Sequence, residues 1–247
     1  MYRLVASPFL KLGMAVAIVG YRTWPDGNAK GQVDDLEQAA AFLAKQFPDL
    51  CTVPPRGNPS HYGTCLLGHS SGAHISLLML VDRARRKIQT GAIEPFQFHS
   101  YVGLSGPYDI SHHFDYEAAR GVEELSPMKP ACGYSREAFR LNSPALRWMR
   151  YLTDISECGT SIENAFPRIL LIHGIEDGTV PFTATAEAAR ILRSCGVSQC
   201  EELYLARIGH QDTVMEVMVG GKTRDRIVEW LRDPFSSASR FAANSRL

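Results

Sequence analysis

Apolar positions along this chain fall into two alternating patterns. Residues 14–21, 64–67, 98–104, 167–173 and 203–205 are short apolar runs rich in β-branched and aromatic side chains, the mark of buried strands. Segments with helical spacing lie around them: 2–12, 32–47, 71–86, 183–195 and most of 212–231. In 32–47, for example, Val33, Leu36, Ala40, Leu43 and Ala44 share one helical face, and Pro48 closes it. Strands alternating with amphipathic helices predict an α/β fold, a mostly parallel sheet with helices on both faces. One stretch breaks the alternation. Residues 106–166 carry loop signals and short helical pieces between two buried strands, so a cap insertion is predicted there. The whole of 1–247 reads as one domain, and 234–247, with Ser236-Ser237-Ala238-Ser239, reads as a flexible tail.

Charge and composition narrow the function classes. The 26 basic and 26 acidic residues cancel, which leaves no basic excess for phosphate backbones and predicts no nucleic-acid partner. A composition of 45% hydrophobic and 21% charged residues excludes disorder as the main state. The local cluster Arg83, Arg85, Arg86 and Lys87 reads as the solvated end of a helix. Six cysteines occur without a Cys-x-x-Cys pair, and no histidine pair has zinc-site spacing, so no metal or other cofactor is predicted. The thiols read as free, with pairing of Cys195 and Cys200 kept for a secreted setting. No run reaches 18 uninterrupted apolar residues, which predicts no transmembrane helix. Lys11 interrupts the apolar stretch near the N-terminus, and no clear signal-peptide cleavage site follows.

The chemistry centres on Gly68-His69-Ser70-Ser71-Gly72, a G-x-S-x-G string. The string is short enough to recur by chance; its setting carries the weight. An apolar strand runs into it and an apolar helix runs out, as a nucleophile elbow requires. The glycines are expected at both flanks for steric reasons, leaving Ser70 on a strained turn above the sheet. A serine hydroxyl needs a base, and the base needs an orienting acid. In this fold they follow the serine in the order acid, then histidine. Asp177 stands after the 167–173 strand and His210 after the last strand, both at carboxyl ends, where ligand crevices form. The roles read from this order are Ser70 nucleophile, His210 base and acid, Asp177 orienter, and the Ser71 N–H as oxyanion donor. Glu176 and Asp212 are nearby acidic competitors. His69, His173 and the pair His112-His113 read as packing, local hydrogen-bonding or surface groups. Asp34-Asp35 reads as the acidic start of a helix.

With these residues in place, the chain resembles the serine esterases of the α/β-hydrolase superfamily. Gly68-His69-Ser70-Ser71-Gly72-Ala73-His74 and the Asp177 and His210 loops carry that likeness. Tyr21-Arg22-Thr23-Trp24-Pro25-Asp26-Gly27, Gln32-Val33-Asp34-Asp35 and Leu104-Ser105-Gly106-Pro107-Tyr108-Asp109 are similar to the branch of isoprenylcysteine methylesterases and esterase/lipases. The resemblance implies hydrolysis of a small-molecule carboxyl ester through an acyl-enzyme, with a prenylcysteine methyl ester as one substrate. It also implies an endomembrane-associated or cytoplasmic setting. An amidase such as a kynurenine formamidase, and a catalytically weakened ligand-binding protein on the same fold, are the alternatives. Oligomeric state is left open. One departure stands out: the branch places a His-Gly-Gly motif before its first helix as half of the oxyanion hole, and none precedes Ser70 here. The mid-sheet strand that leads into that motif also has no match. The sequence therefore reads as an N-terminally abbreviated hydrolase, and residues 1–247 alone are expected to be weakly stable and weakly active.

Overall fold

Four of the apolar runs pair side by side in a computed structural model that describes residues 2–51, 63–155, 162 and 164–232. The strands are β1 (Cys65–His69), β2 (Ser100–Leu104), β3 (Arg168–Gly174) and β4 (Cys200–Leu205), parallel and in sequential order. A turn of 3-10 helix, Tyr2–Val5, leads into α1 (Ala6–Leu10), followed by α2 (Ala29–Gln46) and α3 (Pro48–Cys51). Helix α4 (Ser71–Thr90) joins β1 to β2. Between β2 and β3 lie α5 (Ile110–Ala119), α6 (Met128–Cys132), α7 (Arg136–Leu141) and α8 (Pro144–Ile155). Helix α9 (Thr183–Ser194) joins β3 to β4, and α10 (Asp212–Val219) and α11 (Lys222–Arg232) follow.

Side-chain alternation splits the strand residues between two cores. Tyr101, Ile169 and Leu171 pack with α4, α8 and α9 on one face. Val102, Leu104, Leu170 and Ile172 pack with α1, α10 and α11 on the other. The period of two along a strand makes this division automatic once both faces are covered. Helix α2 adds Val33 and Leu36 against Ile75 and Met79 of α4.

Three expectations change in the structure. Residues 14–21 form no strand, because a strand exists only through a ladder partner and none pairs with them among the described residues. Asp34 and Asp35 do not cap α2. Asn28 does, accepting from the Gly31 N–H, while Asp35 binds Arg22 and Asp34 binds Lys30. Arg83 is not solvated: it is buried against Glu37 and donates to the Phe96 carbonyl at 2.6 Å.

Within 106–166, helix α8 belongs to the layer that covers the sheet. Trp148 is fully buried there and donates its Nε1–H to the Cys195 carbonyl. Helices α5–α7 gather around Ile110, Cys132 and Phe139. Cys65, Cys132, Cys195 and Cys200 are free thiols. The tail read at 234–247 lies outside the described residues. Among the described residues no helix is long and apolar enough to cross a membrane.

Candidate active site

The turn from β1 into α4 places Ser70 at φ 55°, ψ −123°. A non-glycine residue rarely occupies this region, and such strain persists only where the surroundings hold it. Here the Ser70 N–H donates to Leu104 O at 2.8 Å, and Ser70 O accepts from the His74 N–H. Gly68 is sterically required, since a Cβ would lie 2.5 Å from the Gly72 carbonyl oxygen. Gly72 is not. Its nearest neighbour on adding a Cβ would be the Tyr21 hydroxyl at 3.8 Å, so the expected crowding exists at one flank alone.

The strand ends bring the other two predicted residues to this turn. His210 Nε2 lies 3.0 Å from Ser70 Oγ, and His210 Nδ1 lies 2.7 Å from Asp177 Oδ2. Ser71 opens α4, so its N–H is one of the first-turn amides that lack an intrahelical acceptor. The Tyr21 hydroxyl sits 2.9 Å from Ser71 Oγ. Glu176 is exposed, whereas Asp177 beside it is buried, and that separates the two acidic candidates on the β3 loop. Asp212 is exposed and accepts the Gly209 N–H. His112 is exposed, and His113 is buried against Glu117.

Both loops are tied down by backbone contacts. Ile175 N–H donates to Leu205 O and Glu176 N–H to Ile208 O, binding the acid loop to the histidine loop. Gly174 permits this, because a Cβ there would fall 2.1 Å from Ile208 O. The His210 carbonyl accepts from His69 Nε2–H at 3.0 Å and from the Thr213 hydroxyl at 2.9 Å. Burial pushes His69 down to about 4, so at neutral pH it is an uncharged donor. Asp177 is held far below the usual carboxylate range. Burial opposes its ionisation, but hydrogen bonds from His173, His210 and the Val180 N–H outweigh that. Tyr116 Oη from α5 and the guanidinium of Arg120, which follows that helix, both donate to the Gly178 carbonyl beside the acid.

The chemistry and not the concavity locates the site. A surface groove of about 710 Å³ lies between α1, α10 and α11, lined by Leu12, Met218 and Arg224 among others, and none of Ser70, Asp177 or His210 borders it. His69, His173, Thr213 and Tyr21 were not read from sequence as parts of this constellation. The available signal was position: a histidine at the carboxyl end of a parallel strand aims into the same edge as the loops that follow.

Comparison with known proteins fits this arrangement. The family model described as BD-FAE matches residues 1–192. The chain belongs to the BD-FAE family. It is 28% identical over 222 residues to the probable isoprenylcysteine alpha-carbonyl methylesterase ICME of Oryza sativa subsp. japonica, which covers 88% of this chain and 49% of that protein. It is 26% identical over 212 residues to the isoprenylcysteine alpha-carbonyl methylesterase ICME of Arabidopsis thaliana, covering 84% of this chain and 45% of that protein. The chain thus spans about half the length of the curated relatives it matches. Among solved structures it is similar to carboxyl esterase 2 (TmelEST2) from the mycorrhizal fungus Tuber melanosporum, with a TM-score of 0.65 and 14% identity over 94% of this chain and 70% of that one. EstE5 aligns with a TM-score of 0.61 and 14% identity, over 93% of this chain and 69% of that one. These likenesses establish the α/β-hydrolase fold.

Proposed function

We propose that this BD-FAE member is a serine carboxylesterase acting through an acyl-enzyme. The observation that carries the proposal is the hydrogen-bonded line from Ser70 Oγ through His210 to Asp177, at 3.0 and 2.7 Å, ending on a buried carboxylate. In this reading Ser70 Oγ attacks the ester carbonyl carbon while His210 Nε2 takes its proton. The carbonyl oxygen becomes an oxyanion facing the Ser71 N–H. Collapse breaks the bond to the alcohol, which leaves with the proton from His210. Water then repeats the sequence, and the acid is released with Ser70 Oγ protonated again. Asp177 fixes the imidazole with Nδ1 protonated and stabilises the imidazolium.

The relatives' names favour a methyl ester on an isoprenylated cysteine as substrate. The aromatic and apolar side chains of 106–166 give this little support. Trp148 and Phe139 are consumed in packing, Phe114 and Met128 pack on the α5–α7 cluster, and Tyr151 binds Asp82. Substrate class therefore rests on the relatives, and the triad geometry serves esters and amides alike.

A fluorophosphonate probe tests the reading. Wild-type protein should label covalently, and Ser70→Ala should lose labelling and ester hydrolysis by about four orders of magnitude or more. His210→Ala should nearly match it, because the three groups act as a unit. Undiminished labelling of Ser70→Ala would overturn the assignment. Comparable kcat/KM for acetyl and prenylcysteine methyl esters would remove the case for a prenyl substrate.

A further inference from the structure

His173 is the penultimate residue of β3 and is fully buried, and the triad as described above makes no use of it. Its Nε2 lies 3.1 Å from Asp177 Oδ2, the same oxygen that faces His210 Nδ1 at 2.7 Å. The other oxygen, Oδ1, accepts the Thr179 and Val180 N–H groups, each at 2.8 Å. A carboxylate offers about four lone-pair directions. All are taken here, two by backbone amides and two by imidazoles.

The hydrogen-bond partners fix the tautomer of His173. Nε2 is also 3.0 Å from the Val180 carbonyl. A carbonyl and an ionised carboxylate only accept, so Nε2 carries the hydrogen and shares it between them. The Thr185 hydroxyl from α9 is 2.7 Å from Nδ1 and donates to it. A neutral ring with hydrogen on Nε2 satisfies every partner.

We propose that His173 is a positioning residue for the Ser70–His210–Asp177 relay. It keeps Asp177 Oδ2 in line with His210 Nδ1. By drawing on that oxygen's charge through a second hydrogen bond, it also limits how strongly Asp177 holds a proton on His210. The proposal rests on the serine-hydrolase reading above. The titratable groups facing this cluster are Asp177 and His210 from the loops and His69 from β1. Thr185 of α9 and the Val180 carbonyl complete the surroundings and do not titrate. His69 stays uncharged over the range of the test, since burial holds it at about 4.

The experiment measures the second-order rate of fluorophosphonate labelling from pH 5.5 to 9, with a thermal melt for each protein. The proteins are wild type, Ser70→Ala, His173→Leu, His173→Asn and His173→Gln. Removing the second donor leaves more charge on Asp177 and favours protonated His210. His173→Leu should therefore move the acid limb of the profile up by about half to one pH unit, and, with Oδ2 no longer held in line with His210 Nδ1, should label about tenfold more slowly. His173→Gln, whose amide nitrogen reaches the place of Nε2, should recover most of the rate and return the limb. His173→Asn keeps the polarity but falls short of that place, and should behave as His173→Leu. If the Leu variant does not fold, the contrast between Gln and Asn decides. An unmoved acid limb in every folded variant, or a Gln variant no better than Asn, overturns the proposal. A wild-type protein that does not label, or a Ser70→Ala protein that does, overturns the serine-hydrolase reading and this proposal with it. An active wild type matched by its His173 variants overturns the proposal alone.

Discussion

Residue-scale geometry separates positions that look equivalent in the string Gly68-His69-Ser70-Ser71-Gly72. Gly68 faces backbone, with Gly72 O and Ala73 N at 2.5 and 2.6 Å from a built Cβ. Backbone cannot swing away as a side chain can, so Gly68→Ala must displace the start of α4. A cost of about 1–3 kcal/mol is expected, as for overpacking elsewhere, with loss of labelling as Ser70 shifts. Gly72→Ala meets only ordinary contact distances. Its denaturation midpoint should correspond to a change under about 1 kcal/mol. Equal destabilisation of the two variants in urea melts would contradict the elbow geometry. The same scale explains why three of the site's residues were legible. Ser70, Asp177 and His210 announce themselves by type and by order along the chain. His69 and His173 do not, because their partners are a carbonyl 141 residues away and one oxygen of a carboxylate.

At the scale of elements, one helix of the 106–166 stretch is built into the core. Helix α8 lies in the stretch expected to be cap, yet Trp148 is fully buried against the α4–α9 layer, edge-on to Phe166. Removing that indole leaves a cavity and an unpaired Cys195 carbonyl. Trp148→Ala should cost about 3–5 kcal/mol, measured by denaturant unfolding. A substrate-gating lid helix would instead change KM and leave the midpoint in place. The other elements were largely predictable because their apolar period is complete within each segment, as in α2 and β3. The exception is 14–21. Its composition is that of a strand, but pairing is a property of two segments, and composition describes only one.

Across the whole molecule, burial of histidines sets how stability responds to acid. Burial pushes His69 and His74 down to about 4, and it lowers His99 as well. In the unfolded chain these rings take up protons near pH 6.5. Between pH 6.5 and 4 the unfolded state therefore binds protons that the folded state refuses, and stability falls as the pH is lowered. Below pH 4 the depressed Asp177 carboxylate adds to the loss in the same direction. Urea midpoints should be level from pH 7 to 8 and drop from 6.5 downward, and His74→Gln should flatten that slope. A midpoint unchanged between pH 7 and 4.5 would show that these rings are not buried as described. What the sequence determined by itself was the local grammar: most of the strand and helix segments, where the elbow lies, and the order serine, acid, histidine. Each of these is written in neighbouring residues and in the periodicity of apolar positions. The tertiary structure alone decided that His173 and His69 stand behind the Asp177–His210 pair, and that α8 covers the sheet. Those outcomes depend on which side chains meet when β1, β3 and β4 align in parallel and bring their carboxyl ends to one edge, and sequence separation carries no record of that distance.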